Sequence, residues 1–395
     1  MFMYADRKKI YEKIEKERNS KVIAYVTGDR EGMGTQIGAD TPDIFLEHLD
    51  TIKKAEKISL IIYTRGGDTL AAWNIVNLFR EFCDNFEVII PNKCRSAGTL
   101  MSLGANNIVM TKQATLGPID PSITRPMSPI IPTTNPPQKL SISVESVKGY
   151  ISLLKKEFGA QSDKAISMAY TKLAEQIHPL VLGDVYRTQK QIQMLAKKLL
   201  SKGYTNKKAI KNIVDFLCSD SGSHDYTINR TEAQNLGLHI EVPTQEMYTQ
   251  LKTWYSDISS ELELKNPYDP VKILGGKPIQ AYSFKRCLIE SVDYGEDAFI
   301  SEGVLSKTIV KDPHGNTQER ISNSVNLRRL EAFLMYIQKV FYDISCTFAE
   351  NTTNTSAAPD SVFNLTKDFS YIVPDNVVRV IPSNSSLLKV EQIED

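Results

Sequence analysis

The sequence predicts an α/β protein built on a parallel sheet, and three observations carry that expectation. Two apolar runs, Ile58–Tyr63 and Glu87–Ile90, have the length and composition of buried strands. Each is followed by an amphipathic stretch with helical spacing, and this alternation continues to Met110. The junctions between strand and helix are unusual: Arg65-Gly66-Gly67-Asp68 in the first unit and Arg95-Ser96-Ala97-Gly98-Thr99 in the second. Strands alternating with helices form a parallel sheet whose faces are covered.

The elements follow in order. Residues 5 to 19 read as a charged helix, and Lys21–Thr27 as a strand. Asp43–Ile52 repeats apolar residues at three and four, the pattern of a crossover helix leading to the strand at 58–63. Glycines at 66 and 67 open backbone conformations closed to other residues, so a main-chain N–H can be aimed at a ligand carbonyl. Asp68 and Thr69 suit a helix cap, and Leu70, Trp73, Val76, Phe79 and Cys83 fall at helical spacing behind it. In the second unit, Ala97 and Gly98 leave the Ser96 hydroxyl unobstructed at a helix start, with the Ala97 N–H as a second donor. Taken singly, the glycine pair also fits an ordinary tight turn and Ser96 an ordinary N-cap.

The proline-rich run from Pro118 to Pro137 excludes regular helix and central strand and reads as a loop. Ser143 opens a helix with Val144, Val147, Ile151, Leu154 and Phe158 on one face. Further helices are expected from Ser162 to Gln176, stopped by Pro179, from Asp184 to Leu200, stopped by Gly203, and from Lys207 to Leu217. This helical block exceeds what a sheet crossover needs and suggests a packing layer or an oligomer contact. Beyond Trp254 the pattern changes. Asn266–Pro270 and Gly275–Pro278 mark a linker, short strand-like runs follow from 279 to 310, Asp312–Asn316 is a turn signal, and 326 to 345 read as an amphipathic helix. The segment from Asn351 to Asp360 has the composition of a flexible tail.

Bulk composition narrows the function classes. At 395 residues the chain is long enough for two domains. With 47 basic and 47 acidic residues there is no net field to attract nucleic acid or an anionic membrane. The 5 cysteines are odd in number, widely spaced and free of any CxxC pattern, which suits a reducing compartment better than a disulfide framework or a zinc site. The first ten residues turn charged at once, and no stretch reaches the eighteen or so apolar residues that a membrane span requires. A soluble cytoplasmic protein is the expectation.

Strand-GG-helix, strand-SAGT-helix, Gly104–Met110, the run Ala114-Thr-Leu-Gly-Pro-Ile-Asp-Pro121 and the segment Arg230–Leu238 together resemble the Clp-fold serine peptidases, and within them the serine dehydrogenase proteinase family. The resemblance covers about residues 20 to 255. It implies a Clp/crotonase-type spiral of ββα units with an added helical block over 1–265; the residue pattern beyond it, which resembles no family, reads as a smaller α+β accessory domain over 270–350 and a partly flexible tail over 351–395. It also implies a nucleophile at Ser96, an oxyanion hole from the N–H groups of Gly67 and Ala97, and a substrate backbone held along Gly66 and Asp68. Peptide or protein would be the substrate, a homo-oligomer the assembly, and neither metal nor organic cofactor would be needed.

A serine hydroxyl needs a base within hydrogen-bond reach. The usual histidine of the Clp fold belongs near the LGP segment, and Thr115–Pro121 contains none. Lysine-dyad relatives place their base early in the helix after the following loop, where Lys148 stands, with Lys139 and Lys155 as neighbours in a blurred register. On the flank of an apolar stripe Lys148 is equally explained as a lysine reaching for solvent. His224, in Ser-His-Asp just before Tyr226, competes, and a turn histidine is its plain alternative. His178, followed by Pro179, reads as a helix terminator, and Asp120 could orient a base. Two other readings stay open here: a non-catalytic scaffold that has lost its base, and a crotonase-type acyl-CoA enzyme, against which stands the lack of a suitably placed glutamate pair.

Overall fold

The computed structural model describes residues 4–119, 122–131, 138–159, 162–220, 223, 225–311, 317–330, 362–364, 377–382 and 387–393. The chain divides into two compact units, one of Ile10–Ile23 and Gln36–Tyr255, the other of Met1–Lys9, Ala24–Thr35 and Ser256–Asp395. The elements begin with α1 (Tyr4–Arg18), β1 (Lys21–Thr27), α2 (Thr41–Ile52), β2 (Ala55–Tyr63), α3 (Thr69–Phe82) and β3 (Cys83–Ile90). They continue with β4 (Lys93–Cys94), α4 (Ala97–Leu103), β5 (Asn107–Met110) and β6 (Thr115–Leu116).

In the first unit the large sheet is parallel where β2 pairs with β3 and β3 with β5, as at Leu60↔Val88 and Val88↔Ile108. Its central strands are buried on both faces and largely apolar, Ser59 and Glu87 apart: Ile58–Tyr63 and Phe86–Ile90 are buried. A small second sheet runs β4 beside β6, with Cys94 opposite Leu116. Thr64, just past β2, forms a parallel bridge to Cys94 and so supplies the same short strand for the first unit. Long strand, short strand, helix is therefore the repeating unit, the arrangement of a Clp-type spiral. Helix α3 buries Ala71, Ala72, Ile75, Val76 and Phe79. Leu70, expected on that face, is 46% exposed, and Cys83 begins β3 rather than closing the helix.

Among its described residues the proline-rich segment carries two-residue strands: β7 (Ser122–Ile123), and β8 (Ile130–Ile131), which pairs antiparallel with β9 (Gln138–Lys139). A further short strand, β10 (Ile142–Ser143), returns to pair with β7. The helical block follows as α5 (Val144–Lys156), α6 (Asp163–Gln176), α7 (Pro179–Leu200) and α8 (Lys207–Asp215), which widens into a π turn at Phe216–Asp220. Ser143 and Ser162 cap α5 and α6 as their sequence position suggests. Phe158 lies beyond the end of α5 and is 73% exposed. His178 does not terminate a helix. It caps the next one, its Nδ1 accepting the Leu180 N–H at 3.2 Å, because Pro179 has no N–H to lose at a first helical position. Helix α7 consequently starts five residues earlier than Asp184.

The unit closes with β11 (Ile228–Asn229), antiparallel to β6, then α9 (Arg230–Asn235) and β12 (Ile240–Glu241), parallel to β5. Helix α10 (Gln245–Glu261) follows, and its Trp254 donates to Tyr11 Oη at 2.8 Å in the interior. Within β3, Glu87 is fully buried and accepts from Arg18 Nε (3.0 Å), Ser59 Oγ (2.8 Å) and Asn107 Nδ2 (3.1 Å), with Lys57 Nζ at 3.0 Å. Burial alone would push this carboxyl up. The hydrogen bonds and charge of Arg18, helped by Lys57, prevail and hold it below its ordinary value of 4.5.

The second unit contains α11 (Pro270–Leu274), capped by Asp269, and the strands β13 (Ile279–Ser291), β14 (Gly295–Lys311) and β15 (Thr317–Leu330) in an antiparallel meander. The span read as a linker thus holds a short helix. Residues 326–330, expected to open a helix, belong to β15, with Asn326 opposite Glu302 and Leu330 opposite Ala298. Fourteen successive pairings with β14 outweigh a local helical period. The rest of the expected helix, the Asp312–Asn316 turn and the 351–360 tail lie outside the described residues. Three short strands, β16 (Val362–Asn364), β17 (Val377–Pro382) and β18 (Leu387–Ile393), form a separate sheet. Among the described residues no helix is long and apolar enough to cross a membrane.

Candidate active site

The register of the small sheet decides what meets at the two junctions. Thr64 lies beside Cys94, and Cys94 beside Leu116. Two residues further along each chain stand Gly66, Ser96 and Pro118. Parallel neighbours in register keep residues of equal offset adjacent, so the glycine pair and the serine come together. The contact is close: a Cβ on Gly66 would lie 2.6 Å from Ser96 Cβ and 3.1 Å from its Oγ. No other residue fits there, and Gly66 also has a φ of 112°.

Backbone hydrogen bonds hold the first junction. Gly66 N–H donates to Thr64 Oγ1 at 2.9 Å. Ile37 N–H donates to Gly66 O at 2.9 Å, and Asp68 N–H donates to Ile37 O at 2.8 Å, a parallel bridge centred on Gly67. In such a bridge the central residue turns its own N–H away from the partner strand. Gly67 N–H accordingly has no acceptor among the described residues. Asp68 caps α3, its Oδ1 accepting from Leu70 N at 2.7 Å and Ala71 N at 2.9 Å. That oxygen serves the helix cap.

The second junction is held by its flanks. Arg95 N–H donates to Thr64 O at 3.1 Å, Gly98 N–H to Arg95 O at 2.9 Å, and Leu100 N–H to Ser96 O at 3.0 Å. Buried Thr99 accepts the Gly117 N–H at 3.1 Å and has Gly117 O at 2.8 Å, tying α4 to the Leu-Gly-Pro segment. Between these anchors Ser96 adopts φ 52° and ψ −116°. This is the first central position of a type II′ turn, a conformation dominated by glycine and costly for any residue with a Cβ. The Ser96 hydroxyl makes no cap hydrogen bond, so the ordinary N-cap role does not account for it. Ala97 N–H, the next along, has no acceptor among the described residues.

The lysine candidates for the base lie among the described residues. Lys148 Nζ donates to Glu145 Oε1 at 3.1 Å and to Ser219 Oγ at 3.0 Å, and no hydrogen bond joins it to Ser96 among the described residues. Lys139 lies in β9 and Lys155 in the last turn of α5. His224 and Asp120 lie outside the described residues. Thr227, three residues beyond His224, accepts from Arg95 Nη2 at 3.1 Å, next to the serine. Ile119 N–H donates to Leu217 O at 2.8 Å, so the chain entering this segment also runs beside the Leu-Gly-Pro strand. Among the described residues no group of three or more His, Cys, Asp or Glu is placed to hold a metal ion.

Sequence reading missed Thr64, Thr99 and Arg95 as supports of the site. A signal existed: Arg-Gly at 65–66 and Arg-Ser at 95–96 occupy the same offset after successive strands.

Residues 1–143 match the family model described as ClpP-like SDH-type serine proteinase. That span contains both junctions and ends before Lys148 and His224. Uncharacterized protein MJ0137 of Methanocaldococcus jannaschii is 28% identical over 276 residues, spanning 67% of this chain and 84% of its own length. MJ1495 of the same organism is 27% identical over 253 residues, spanning 61% and 74%. Among solved structures, a mutant of the 1510-N membrane-bound stomatin-specific protease covers 58% of this chain and 85% of its own at 16% identity and a TM-score of 0.34. ClpP1 from Listeria monocytogenes covers 59% and 98% at 13% identity and a TM-score of 0.30.

Proposed function

We propose that the chain is a serine peptidase that hydrolyses peptide bonds by acyl transfer through Ser96. The carrying observation is the strained backbone of Ser96, φ 52° and ψ −116°, seated against Gly66. A non-glycine residue is kept in that conformation at a cost of about 1–3 kcal/mol, and the turn presents its hydroxyl free of capping duty. In this reading the substrate backbone lies along Gly66 and Gly67. Ser96 Oγ attacks the scissile carbonyl while a base takes its proton, and the N–H groups of Gly67 and Ala97 hold the developing oxyanion. Collapse of the tetrahedral intermediate expels the amine, which receives the proton, and water then hydrolyses the acyl-enzyme by the same steps in reverse.

Lys148 and His224 are the two candidate bases. The hydrogen bond of Thr227 to Arg95, beside the serine, favours His224, whereas Lys148 is engaged by Glu145 and Ser219. A fluorophosphonate probe tests the reading. Labelling at Ser96 that is lost in Ser96→Ala supports it. A folded protein that several serine-directed probes leave unlabelled and that cleaves no peptide is instead a scaffold. His224→Ala and Lys148→Ala, made separately, assign the base as the one whose loss abolishes acylation. A homo-oligomer belongs to the same proposal, with light scattering as its measurement.

A further inference from the structure

We propose that the Arg95 guanidinium binds a carboxylate of the peptide held at Ser96, which makes the site selective for substrates carrying a negative charge near the cleaved bond. This rests on the peptidase reading and adds the substrate class to it. Arg95 immediately precedes Ser96, and its course is built into the fold. Its stem lies across Gly117, where a Cβ would come within 3.2 Å of Arg95 Cγ and 3.3 Å of its Cβ. A side chain at 117 would press on that path, and the arginine stem would have to give by a few tenths of an ångström.

The head group is then held at one end. Nη2 donates to Thr227 Oγ1 at 3.1 Å, the single polar side-chain partner of Arg95 among the described residues. Its Nε is closed off from water and has no acceptor there. No carboxylate of the described residues lies within ion-pair distance of this guanidinium, although Arg7, Arg18, Arg30 and Arg125 each have one. A half-buried guanidinium beside Ser96, held at one end and without a carboxylate partner among the described residues, presents the planar fork that pairs with carboxylates, and partial desolvation strengthens that pairing. Arg65, at the equivalent offset before Gly66, is exposed and adds positive charge to the same mouth. The carboxylate can come from an acidic side chain or from a peptide C-terminus, which share this chemistry.

Binding to the full-length Ser96→Ala protein separates the possibilities without requiring turnover. The probes are fluorescein-labelled decapeptides: a neutral parent with an amidated C-terminus, the same peptide with one Glu walked along it, and the parent with a free C-terminus. At least one charged peptide is expected to bind roughly tenfold tighter than the neutral parent, the gain of one charge-assisted pair. The walked Glu or the free terminus identifies the source. Introducing Arg95→Gln should collapse the ratio to about one, and Arg95→Glu should turn the preference toward the parent peptide carrying one Lys in place of the Glu. A ratio near one in the Ser96→Ala protein, or one that survives Arg95→Gln, overturns the inference, and the first of these decides even where the Arg95 variants do not fold. Cleavage of peptides without charge preference refutes this inference and leaves the peptidase standing. Charge-selective binding with no cleavage or labelling by the unsubstituted protein does the reverse.

Discussion

Replacing Ser96 by glycine should raise stability, against the ordinary rule. Glycine normally costs about 0.4–1 kcal/mol relative to alanine because its unfolded chain has more conformations to lose. At φ 52° and ψ −116° the balance turns, since a Cβ there costs about 1–3 kcal/mol and glycine pays none of it. The difference leaves Ser96→Gly more stable than Ser96→Ala by about 1 kcal/mol, combining those two terms. In a unit of this size that corresponds to about 2–4 °C in melting temperature. Both variants lack the hydroxyl, so neither should label with a fluorophosphonate, and the comparison isolates the backbone term. Differential scanning calorimetry at one scan rate reads the order directly. If Ser96→Ala melts at or above Ser96→Gly, the serine is not strained and the observation that carries the peptidase reading is lost.

Four further outcomes are expected. Glu87 has a depressed folded-state pKa, so its stabilising contribution is complete above the ordinary carboxylate value of 4.5 and is lost as pH falls through the lower folded value; acid melts should fall steeply below about pH 4.5, and less so in Glu87→Gln. At neutral pH the same substitution leaves Arg18 and Lys57 short of a buried counter-charge and should cost about 3–5 kcal/mol by denaturant titration. Thr99→Val keeps the shape but strands the buried Gly117 N–H, a loss of about 1–3 kcal/mol that Thr99→Ser should largely restore, with slower Ser96 labelling in the valine variant. Asp68→Ala removes the cap of α3 and should cost about 1 kcal/mol in thermal stability. If Asp68 also bound substrate, kcat/KM would fall well beyond the few-fold that a frayed helix explains.

Much of this fold was legible because its signals are local. The strands at 21–27 and 58–63 and the helix caps at Asp68, Ser143 and Ser162 depend on periodicity and on side chains that bond their own neighbours. The misreadings came where a partner distant in sequence decides. His178 reads as an end until Pro179 is seen to begin α7, and 326–330 reads as helical until β14 pairs with it. Leu70 has the right spacing, yet the helix presents Ala71 and Ala72 inward.

The same division runs through the candidate site. From the sequence alone come the residue types: two glycines and a serine at successive strand–helix junctions, and a Thr115–Pro121 run without a histidine. Chain chemistry dictates these without reference to anything far away. Only the tertiary structure decided that Thr64, Cys94 and Leu116 stand side by side, which places Gly66 against Ser96 and lays Arg95 over Gly117. Register between strands some thirty residues apart is set by the packing of the whole sheet. The strain at Ser96 has the same origin, because hydrogen bonds on either side of the residue, and not its own preference, impose the turn it makes.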